Sequence, residues 1–377
     1  MKRWQTPAPG ERESEERSWQ IVRSAYQERI PSARPRPWRP ILVAGVAALL
    51  LAGILSPPGH AVFGSLRDAV RGEKNAKPAL FALPTKNSWL LVNSAVGAWV
   101  VQSDGSKRLL DGYRDASWSP HGLYLAAIHG DELRAIEPNG DVHWSIGRPG
   151  LAAPKWSQEG NGDERIAYLS GAGLRVVGGD GRGDRLLARR VTPIAPAWRP
   201  RTHEVAYVDH AGKVIVRNAD TGMVLWSAEA QETGTALEWS GDGRYLLARG
   251  PSSLTVFGNA GKQRLDPLAP GAASVVAAHF MPRSDAIAFV QQSAGRSVLW
   301  FYPNPRPDAT AARRVFAGAG SFDTVTWSPD ARWLLLSWPS ADQWLFIRST
   351  AVREVSPVSG IDSAFGPGAK PTEWCCP

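Results

Sequence analysis

The feature that constrains this chain most is an aromatic residue that recurs about every 40 residues. Six tryptophans and one phenylalanine occupy the repeated position, at spacings of 38, 42, 41, 41, 47 and 47 residues. A period near 40 is typical of stacked supersecondary units. The sequence therefore predicts a repeat array rather than one irregular domain. The members of the series are Trp118, Trp156, Trp198, Trp239, Phe280, Trp327 and Trp374.

Each repeat follows one plan of short strands. In the unit that begins at Asp115, the tryptophan strand is followed by predicted strands at 123–129, 133–137 and 142–146. Asn139-Gly140 predicts the two-residue turn between the last two, because both positions accept a positive φ. Runs of four to seven residues that are enriched in β-branched and aromatic types lie between turn clusters and indicate strands. The repeat region shows no helix-length 3.6-residue period. Four antiparallel strands per repeat are what a β-propeller blade requires.

The two ends of the repeat region complement each other. The first unit, 87–112, has second, third and fourth strands but no tryptophan strand, whereas the last residues, 371–376, supply only that strand. Joining them closes the ring without a free sheet edge. We therefore predict an all-β fold over 87–377, a seven-bladed β-propeller of four-stranded antiparallel blades closed by the C-terminal strand. The repeated aromatics are expected to pack between blades; the alternative is a ligand platform.

A single transmembrane helix is predicted at 41–56. Its apolar run of fifteen residues lies within an uncharged window of 26 residues between Pro40 and Arg67. The run is shorter than the ~20 residues that span a bilayer, and a cleaved signal peptide is the alternative. Five acidic residues in the first 40 and the lack of a small-x-small cleavage site favour a retained anchor.

The arginines around this helix predict its orientation. Four of them precede the apolar run closely, while Arg67 and Arg71 are the nearest on the other side. Cytoplasmic flanks carry the excess of basic residues, so 1–40 is predicted to be cytoplasmic and the propeller extracytoplasmic, at the cell membrane. Within 1–40, an amphipathic helix at 13–30 could dock a cytosolic protein, lie on lipid or have no partner. A second amphipathic helix and a linker are predicted at 57–86.

Charge argues against nucleic-acid binding. The chain carries a formal net charge of +8, and nine basic and five acidic residues place +4 of it in the first 40 residues. The remaining +4 is spread over the rest without a basic stripe interleaved with aromatics, which a nucleic-acid site would need.

The only two cysteines, Cys375 and Cys376, are adjacent in sequence. Neighbouring Cα atoms are ~3.8 Å apart, closer than the usual disulfide range of ~4.4–6.8 Å, so a bridge between them would be strained. No cysteine framework or zinc-ligand spacing is present. We expect two buried thiols in the closing strand.

The sequence predicts no catalytic, cofactor or metal site, and the chain is expected not to be an enzyme. It has no Gly-x-Ser-x-Gly elbow. His121 and His203 occupy corresponding turns of two units and could bind a metal together, but solvent-facing turn residues are the expectation. The glycine-rich segment 178–184 lacks the phosphate-binding pattern. Its Asp180 and Asp184 could contribute to a calcium loop, although the required ligand pattern is missing.

The motif Trp-Ser-Pro followed by an apolar strand occurs at Trp118 and Trp327. It resembles the TolB-like subgroup of WD-repeat propellers, in which Trp-Ser-Pro-Asp-Gly opens each blade. The Gly-His and Trp-Asp pairs of the eukaryotic WD repeat are absent from the expected places. The layout also resembles membrane-anchored propeller proteins of high-GC Gram-positive bacteria. The resemblance implies interaction and scaffolding at the cell envelope.

Two functional hypotheses follow. The first is a membrane-anchored, extracytoplasmic propeller that acts as a non-enzymatic scaffold for a protein partner or an envelope ligand. It includes a variant that signals to a cytosolic partner through 13–30. The alternative is a propeller hydrolase or a lactonase- or lyase-like enzyme. Its site would need three or more carboxylates and histidines converging at one point of the central channel.

Overall fold

The aromatic repeat of the sequence corresponds to seven sheets in the structure. The computed structural model describes residues 81–158, 163–261, 264–265, 273–304, 312–350 and 354–376. In these residues 28 strands form seven four-stranded antiparallel sheets, which are the blades of a propeller. The predicted all-β, seven-bladed fold is confirmed.

The blades are numbered here in chain order. Blade 1 contains β1 (Trp89–Ser94), β2 (Gly97–Val101) and β3 (Lys107–Asp111). Blade 2 contains β4 (Tyr113–Trp118), β5 (Leu125–His129), β6 (Glu132–Ile136) and β7 (Val142–Gly147). Blade 3 contains β8 (Leu151–Trp156), β9 (Arg165–Ser170), β10 (Gly173–Gly178) and β11 (Arg185–Arg189). Blade 4 contains β12 (Ala197–Trp198), β13 (Glu204–Val208), β14 (Lys213–Asn218) and β15 (Val224–Glu229).

Blade 5 contains β16 (Ala236–Trp239), β17 (Leu246–Arg249), β18 (Leu254–Phe257) and β19 (Arg264–Leu265). Blade 6 contains β20 (Ser274–Phe280), β21 (Ile287–Ser293), β22 (Arg296–Tyr302) and β23 (Arg313–Ala319). Blade 7 contains β24 (Thr324–Trp327), β25 (Trp333–Trp338), β26 (Gln343–Arg348) and β27 (Val355–Ser359). A short helix, α1 (Ile361–Phe365), then leads to β28 (Lys370–Cys375). This single helical turn was not predicted, because five residues are too few to show a 3.6-residue period.

Blade 1 is closed by the last strand, as predicted. Strand β28 pairs antiparallel with β1, with Trp374 opposite Leu90, and gives the sheet order β28-β1-β2-β3. The inner strand of each blade contacts the inner strands of both neighbouring blades, and β28 contacts β24 on one side and β4 on the other. The ring is therefore continuous. The predicted bounds of the closing strand, 371–376, differ by one residue at each end.

The seven repeated aromatics form the wedges between blades. Each is only 4–8% exposed, which confirms the interpretation that they belong to the core. Each packs against the preceding blade. Trp118 lies among Leu91 and Val100 of blade 1, and Trp239 lies among Ala206 and Val208 of blade 4. Because a lone four-stranded sheet cannot bury both of its faces, stacking of neighbours supplies the core.

In four blades the repeated tryptophan is followed by a serine whose hydroxyl accepts a backbone hydrogen bond. In blade 2 the Ser119 hydroxyl accepts a hydrogen bond from the backbone N–H of Tyr124 at 3.0 Å. In blade 7 the Ser328 hydroxyl accepts the bond from Trp333 at 2.9 Å. A buried hydroxyl requires such a partner, so the serine fixes the turn that joins the inner strand to the second strand. The same bond is made by Ser157 and Ser240.

The predicted transmembrane helix at 41–56 and the predicted helices at 13–30 and 60–71 lie outside the described residues. Within the part of the chain that the structure describes, no helix combines the length and apolar character needed to span a bilayer.

The expectation of two buried thiols at Cys375 and Cys376 is wrong for this structure. The two residues form a vicinal disulfide and are partly buried. The expectation rested on the Cα separation of neighbouring residues, ~3.8 Å, which lies below the usual disulfide range of ~4.4–6.8 Å. The strand ends at Cys375, and Cys376 has a left-handed backbone, with φ of 83°.

Candidate functional site

The two faces of the propeller follow from the strand directions. Each inner strand ends at its aromatic residue, so the turn after it and the turn between the third and fourth strands lie on one face. We call this the tryptophan face. The inner strands surround the central channel. Binding residues of propellers are therefore sought on the faces, in the grooves between blades and in the channel.

Two carboxylates join neighbouring inner strands beside the channel. Glu373, one residue before Trp374, accepts a hydrogen bond from the Trp118 backbone N–H at 2.8 Å and forms an ion pair with Lys155. It thereby links blades 1, 2 and 3. The corresponding residue of blade 5, Glu238, accepts a hydrogen bond from the backbone N–H of Phe280 in blade 6 at 3.3 Å.

A cavity of about 190 Å³ lies in the channel between the inner strands of blades 5, 6 and 7. We call it the channel cavity. Glu238 and His279 line it, with Oε2 of the glutamate 3.2 Å from Nδ1 of the histidine. Arg249 and Asp323 line it as well. Three carboxylate or histidine side chains therefore border one channel cavity, although the described residues contain no group of three that could hold a metal ion.

A larger cavity of about 740 Å³ lies between blades 2 and 3 on the tryptophan face. We call it the blade 2–3 groove. Tyr124 and Trp144 of blade 2 and Trp156 of blade 3 line it, together with charged residues that include Arg182. The ring of Tyr124 packs edge-on against His143, with ring centroids 4.6 Å apart. The volume of the blade 2–3 groove falls in the ~300–1,000 Å³ range of ligand pockets.

The glycine-rich segment 178–184 forms one wall of this groove. A Cβ added at Gly179 would lie 2.8 Å from the ring of Trp156, and one added at Gly181 would lie 2.8 Å from the ring of Trp144. Gly181 also has φ of +81°. The glycines are therefore explained by close packing against two indole rings. This packing is a role for the segment that the sequence reasoning did not identify.

Asp184 is neutralised by the protein itself. Its carboxylate is 9% exposed and accepts hydrogen bonds from Arg175 (2.8 Å), Arg148 (2.5 Å) and the Tyr168 hydroxyl (2.6 Å). Burial raises the pKa of this carboxyl, but the hydrogen bonds outweigh it and hold the pKa below its usual value. Burial and the bond to Asp184 raise the pKa of Tyr168 to about 12. Asp180 is 62% exposed and accepts the backbone N–H of Arg182 at 2.9 Å.

The two histidines considered as metal ligands stand in blades 2 and 4, with blade 3 between them. His121 is exposed, as expected. The expectation of a solvent-facing residue is wrong for His203, whose side chain is 12% exposed. It contacts the Asp220 carboxylate through Nδ1, and its Nε2 lies 3.0 Å from the carbonyl oxygen of Asp163 in blade 3. The side chain of His203 is therefore engaged in a contact between blades 3 and 4.

Six large apolar side chains on blades 2–4 are exposed, and three of them directly adjoin in sequence a residue that lines the blade 2–3 groove; we call these six the apolar rim. Most of its side chains stand at the beginning of the outer strands β7, β11 and β15, and all are 38–63% exposed. Among the described residues, the only other large apolar side chain with such exposure is Val96 of blade 1. Sequence reasoning did not identify the rim, because the strand periodicity alone does not show which blades expose their outer strands. The rim consists of Leu123, Val142, Leu186, Met223, Val224 and Leu225.

The sequence matches no protein-family model. Among solved structures, the chain is similar to a chain in the crystal structure of the mitotic checkpoint complex, with a TM-score of 0.50 and 16% sequence identity. The alignment covers 64% of this chain and 75% of that chain. The likeness shows the fold. This fold is a WD-repeat-like seven-bladed propeller.

Proposed function

We propose that this protein is a non-enzymatic scaffold that binds a partner protein at the blade 2–3 groove and the apolar rim. The observation that carries the proposal is the concentration of exposed apolar side chains on blades 2–4. Exposed large apolar side chains concentrated beside a cavity are typical of protein interaction sites. The tryptophans of the groove add aromatic surface, which is enriched where interfaces gain most of their affinity.

The occupant that fits this surface is an extended segment of the partner with aliphatic side chains at alternate positions. Strands β7, β11 and β15 each end the strand order of their sheets, so one edge of each has no strand partner in its own blade. An added strand can hydrogen-bond to such an edge. A segment added to the edge of β7 would place one aliphatic side chain against Val142 and another against Trp144 in the groove.

The docking proposal is tested by photo-crosslinking in intact cells. A photoreactive residue replaces Met223 in the full-length protein, and one protein adduct is expected. Leu225→Glu and Leu123→Glu should each remove that same adduct. The matched control is Val96→Glu, which changes an exposed apolar side chain on the opposite face and should leave the adduct unchanged. An adduct that persists in all three variants would overturn the proposal, as would loss of the adduct in all three.

The proposal also places the scaffold at the cell membrane, with 41–56 as a single-pass anchor and the propeller extracytoplasmic. The uncharged window and the arginines before it support this topology. The test is protease accessibility of 87–377 in intact cells, with deletion of 41–56 as the comparison. Protection of the propeller from added protease would contradict the topology.

A sensor role is proposed for the cytoplasmic segment, because the amphipathic pattern at 13–30 lies on the far side of the anchor from the propeller. Cross-linking of the full-length protein from this segment should capture a cytosolic protein. A matched variant that replaces Trp19 and Tyr26 with serine should not. Equal capture by both proteins would argue against signalling through this helix.

The enzymatic alternative rests on Glu238, His279 and Asp323, which line one channel cavity. A lactonase- or lyase-like reaction would use this set as acid and base. The carboxylate of Glu238 already accepts a backbone N–H and faces His279, however, so both side chains have contacts that hold blades 5 and 6 together. Turnover of a lactone panel that is lost in Glu238→Gln would favour the enzyme over the scaffold.

A further inference from the structure

Besides the Glu238–His279 pair, the channel cavity contains two opposite charges that do not pair with each other. Arg249 ends strand β17 of blade 5, and Asp323 directly precedes β24 of blade 7. Both line the cavity, and inner strand β20 of blade 6 lies between them. The channel cavity shares no lining residue with the blade 2–3 groove, which lies between other blades.

The guanidinium of Arg249 lacks a counter-ion among the described residues. Its one hydrogen bond there is from Nη1 to the carbonyl oxygen of Val275, at 2.9 Å. Burial lowers the pKa of Arg249, and no neighbouring carboxylate offsets this effect. A guanidinium has five N–H donors, and its planar fork binds a carboxylate through two parallel hydrogen bonds. The site therefore presents donors suited to a ligand carboxylate.

The other flank of the cavity presents an acceptor. Oδ1 of Asp323 is buried and has no hydrogen-bond partner in the described part of the chain. Its other oxygen lies 3.3 Å from the ammonium of Lys370, a side chain that is more than half exposed. An unpaired buried carboxylate oxygen is costly. A bound ammonium group would satisfy it.

The wall between these two charges combines the Glu238–His279 pair and Thr324 with apolar side chains of small and medium size. Leu237, Leu247 and Val276 contribute to it, together with alanines of blades 5 and 6. The volume of about 190 Å³ is smaller than the ~300–1,000 Å³ of pockets for drug-sized ligands. The dimensions therefore suit a single small molecule with a short aliphatic portion and exclude a folded peptide or a nucleotide.

We propose that the channel cavity binds a small aliphatic amino acid, with its carboxylate on Arg249 and its ammonium group on Asp323. A simple carboxylate would leave the buried oxygen of Asp323 unpaired, and a simple amine would leave Arg249 without a counter-ion. A zwitterion whose ammonium and carboxylate groups match the separation of the two protein charges satisfies both ends at once. The scaffold thereby carries a small-molecule site in its channel in addition to its protein-binding groove.

Isothermal titration calorimetry on the purified full-length protein tests this proposal. The probes are L-alanine, L-valine and 4-aminobutyrate, which differ in size and in the separation of their charges. Propionate and propylammonium serve as half-ligands that carry one charge each. At least one amino acid should bind tenfold or more tightly than either half-ligand, since each half-ligand leaves one protein charge unsatisfied.

Three variants show whether the stated residues are responsible. Arg249→Gln and Asp323→Asn should each weaken amino-acid binding at least tenfold. Arg244→Gln is the matched control, because Arg244 belongs to the same blade but pairs with Asp242 and Asp285 outside the cavity. It should bind like the wild type. Arg249→Lys keeps the charge and supplies a further variant if the glutamine form does not fold.

Several results would overturn the proposal. One is the absence of binding by all three amino acids at about 10 mM, which would exclude dissociation constants near ~1 mM. Another is equal affinity for propionate and the best amino acid. Unchanged amino-acid affinity in folded Asp323→Asn would also overturn it. The photo-crosslink at position 223 should be the same in Arg249→Gln as in the wild type, so failure here leaves the docking proposal separately testable.

Discussion

Replacement of Trp374 by alanine tests whether the closing strand holds the ring in solution. Trp374 is 8% exposed, and its ring packs edge-on against Phe346 at 5.7 Å. Its Nε1–H donates to the Ser88 hydroxyl at 2.9 Å. Trp239 is the matched position in a blade formed from continuous sequence, and it is 5% exposed. If β28 is as firmly packed as the other inner strands, the two alanine variants should lose comparable stability.

The expected loss can be estimated from these contacts. Truncation of a buried tryptophan to alanine costs ~3–5 kcal/mol of unfolding free energy. The lost hydrogen bond to Ser88 adds ~0.5–1.5 kcal/mol, and no more than that, because Ser88 retains its bond to the Thr85 hydroxyl at 2.5 Å. Trp374→Ala should therefore cost ~3.5–6.5 kcal/mol and Trp239→Ala ~3–5 kcal/mol. Either loss is a large part of the ~5–15 kcal/mol that stabilises a typical protein.

Urea unfolding followed by far-ultraviolet circular dichroism provides the measurement. The shift in the midpoint, multiplied by the slope of the transition, gives the change in unfolding free energy. Ser88→Ala removes this hydrogen bond together with the bonds of Ser88 to Thr85 and should cost ~1–3 kcal/mol. A loss below ~1 kcal/mol for Trp374→Ala beside the full loss for Trp239→Ala would refute the closed ring. It would mean that the last strand contributes no packing in solution.

The remaining predictions concern the segment beside the blade 2–3 groove. We expect Asp184→Asn to cost ~1.5–3 kcal/mol, because it removes the charge of a carboxylate that is only 9% exposed and accepts hydrogen bonds from Arg148, Arg175 and Tyr168, whereas exposed Asp180→Asn should cost less than ~1 kcal/mol. Equal losses would contradict the burial argument. The lowered pKa of Asp184 implies that its stabilising contribution is present above the ordinary carboxyl pKa of ~3.9 and is lost as the pH falls through the lowered value. Urea unfolding between neutral and acidic pH should therefore depend less on pH in Asp184→Asn than in the wild type. Gly181→Ala should cost ~1–3 kcal/mol, because its Cβ would clash with Trp144 at 2.8 Å. The control Gly183→Ala has a similar positive φ but no atom within 4 Å, and should cost less by the same measurement.

The architecture was predictable because its signals are local and repeated. Seven aromatics at one register and a missing strand at 87–112 were enough to predict the blade number and the closure of the ring. The strand ends were less accurate. The second strand of blade 2 was predicted at 123–129 and begins at Leu125, because Leu123 belongs to the turn although it is apolar and remains 63% exposed.

The candidate sites were not predictable, because they depend on which strand ends meet across blades. Arg249 and Asp323 are far apart in sequence, and only the circular arrangement brings both to one cavity. Asp184 was considered a possible calcium ligand because of its glycine-rich surroundings. Neither the sequence spacing nor the local pattern indicates that Arg148 of the preceding blade would neutralise it.

The pairing of the two ends of the propeller in blade 1 has a consequence for biosynthesis. The contact between Ser88 and Trp374 spans 286 residues of sequence. At ~5–20 residues per second, a ribosome needs roughly 15–60 s to make the second partner after the first. Throughout that interval the edge of β1 that later pairs with β28 stays unpaired, and other chains could bind to it. This strand contains Leu90, Leu91 and Val92, which are fully buried in the finished ring. Chaperone demand should therefore be concentrated on the earliest blade of the nascent protein.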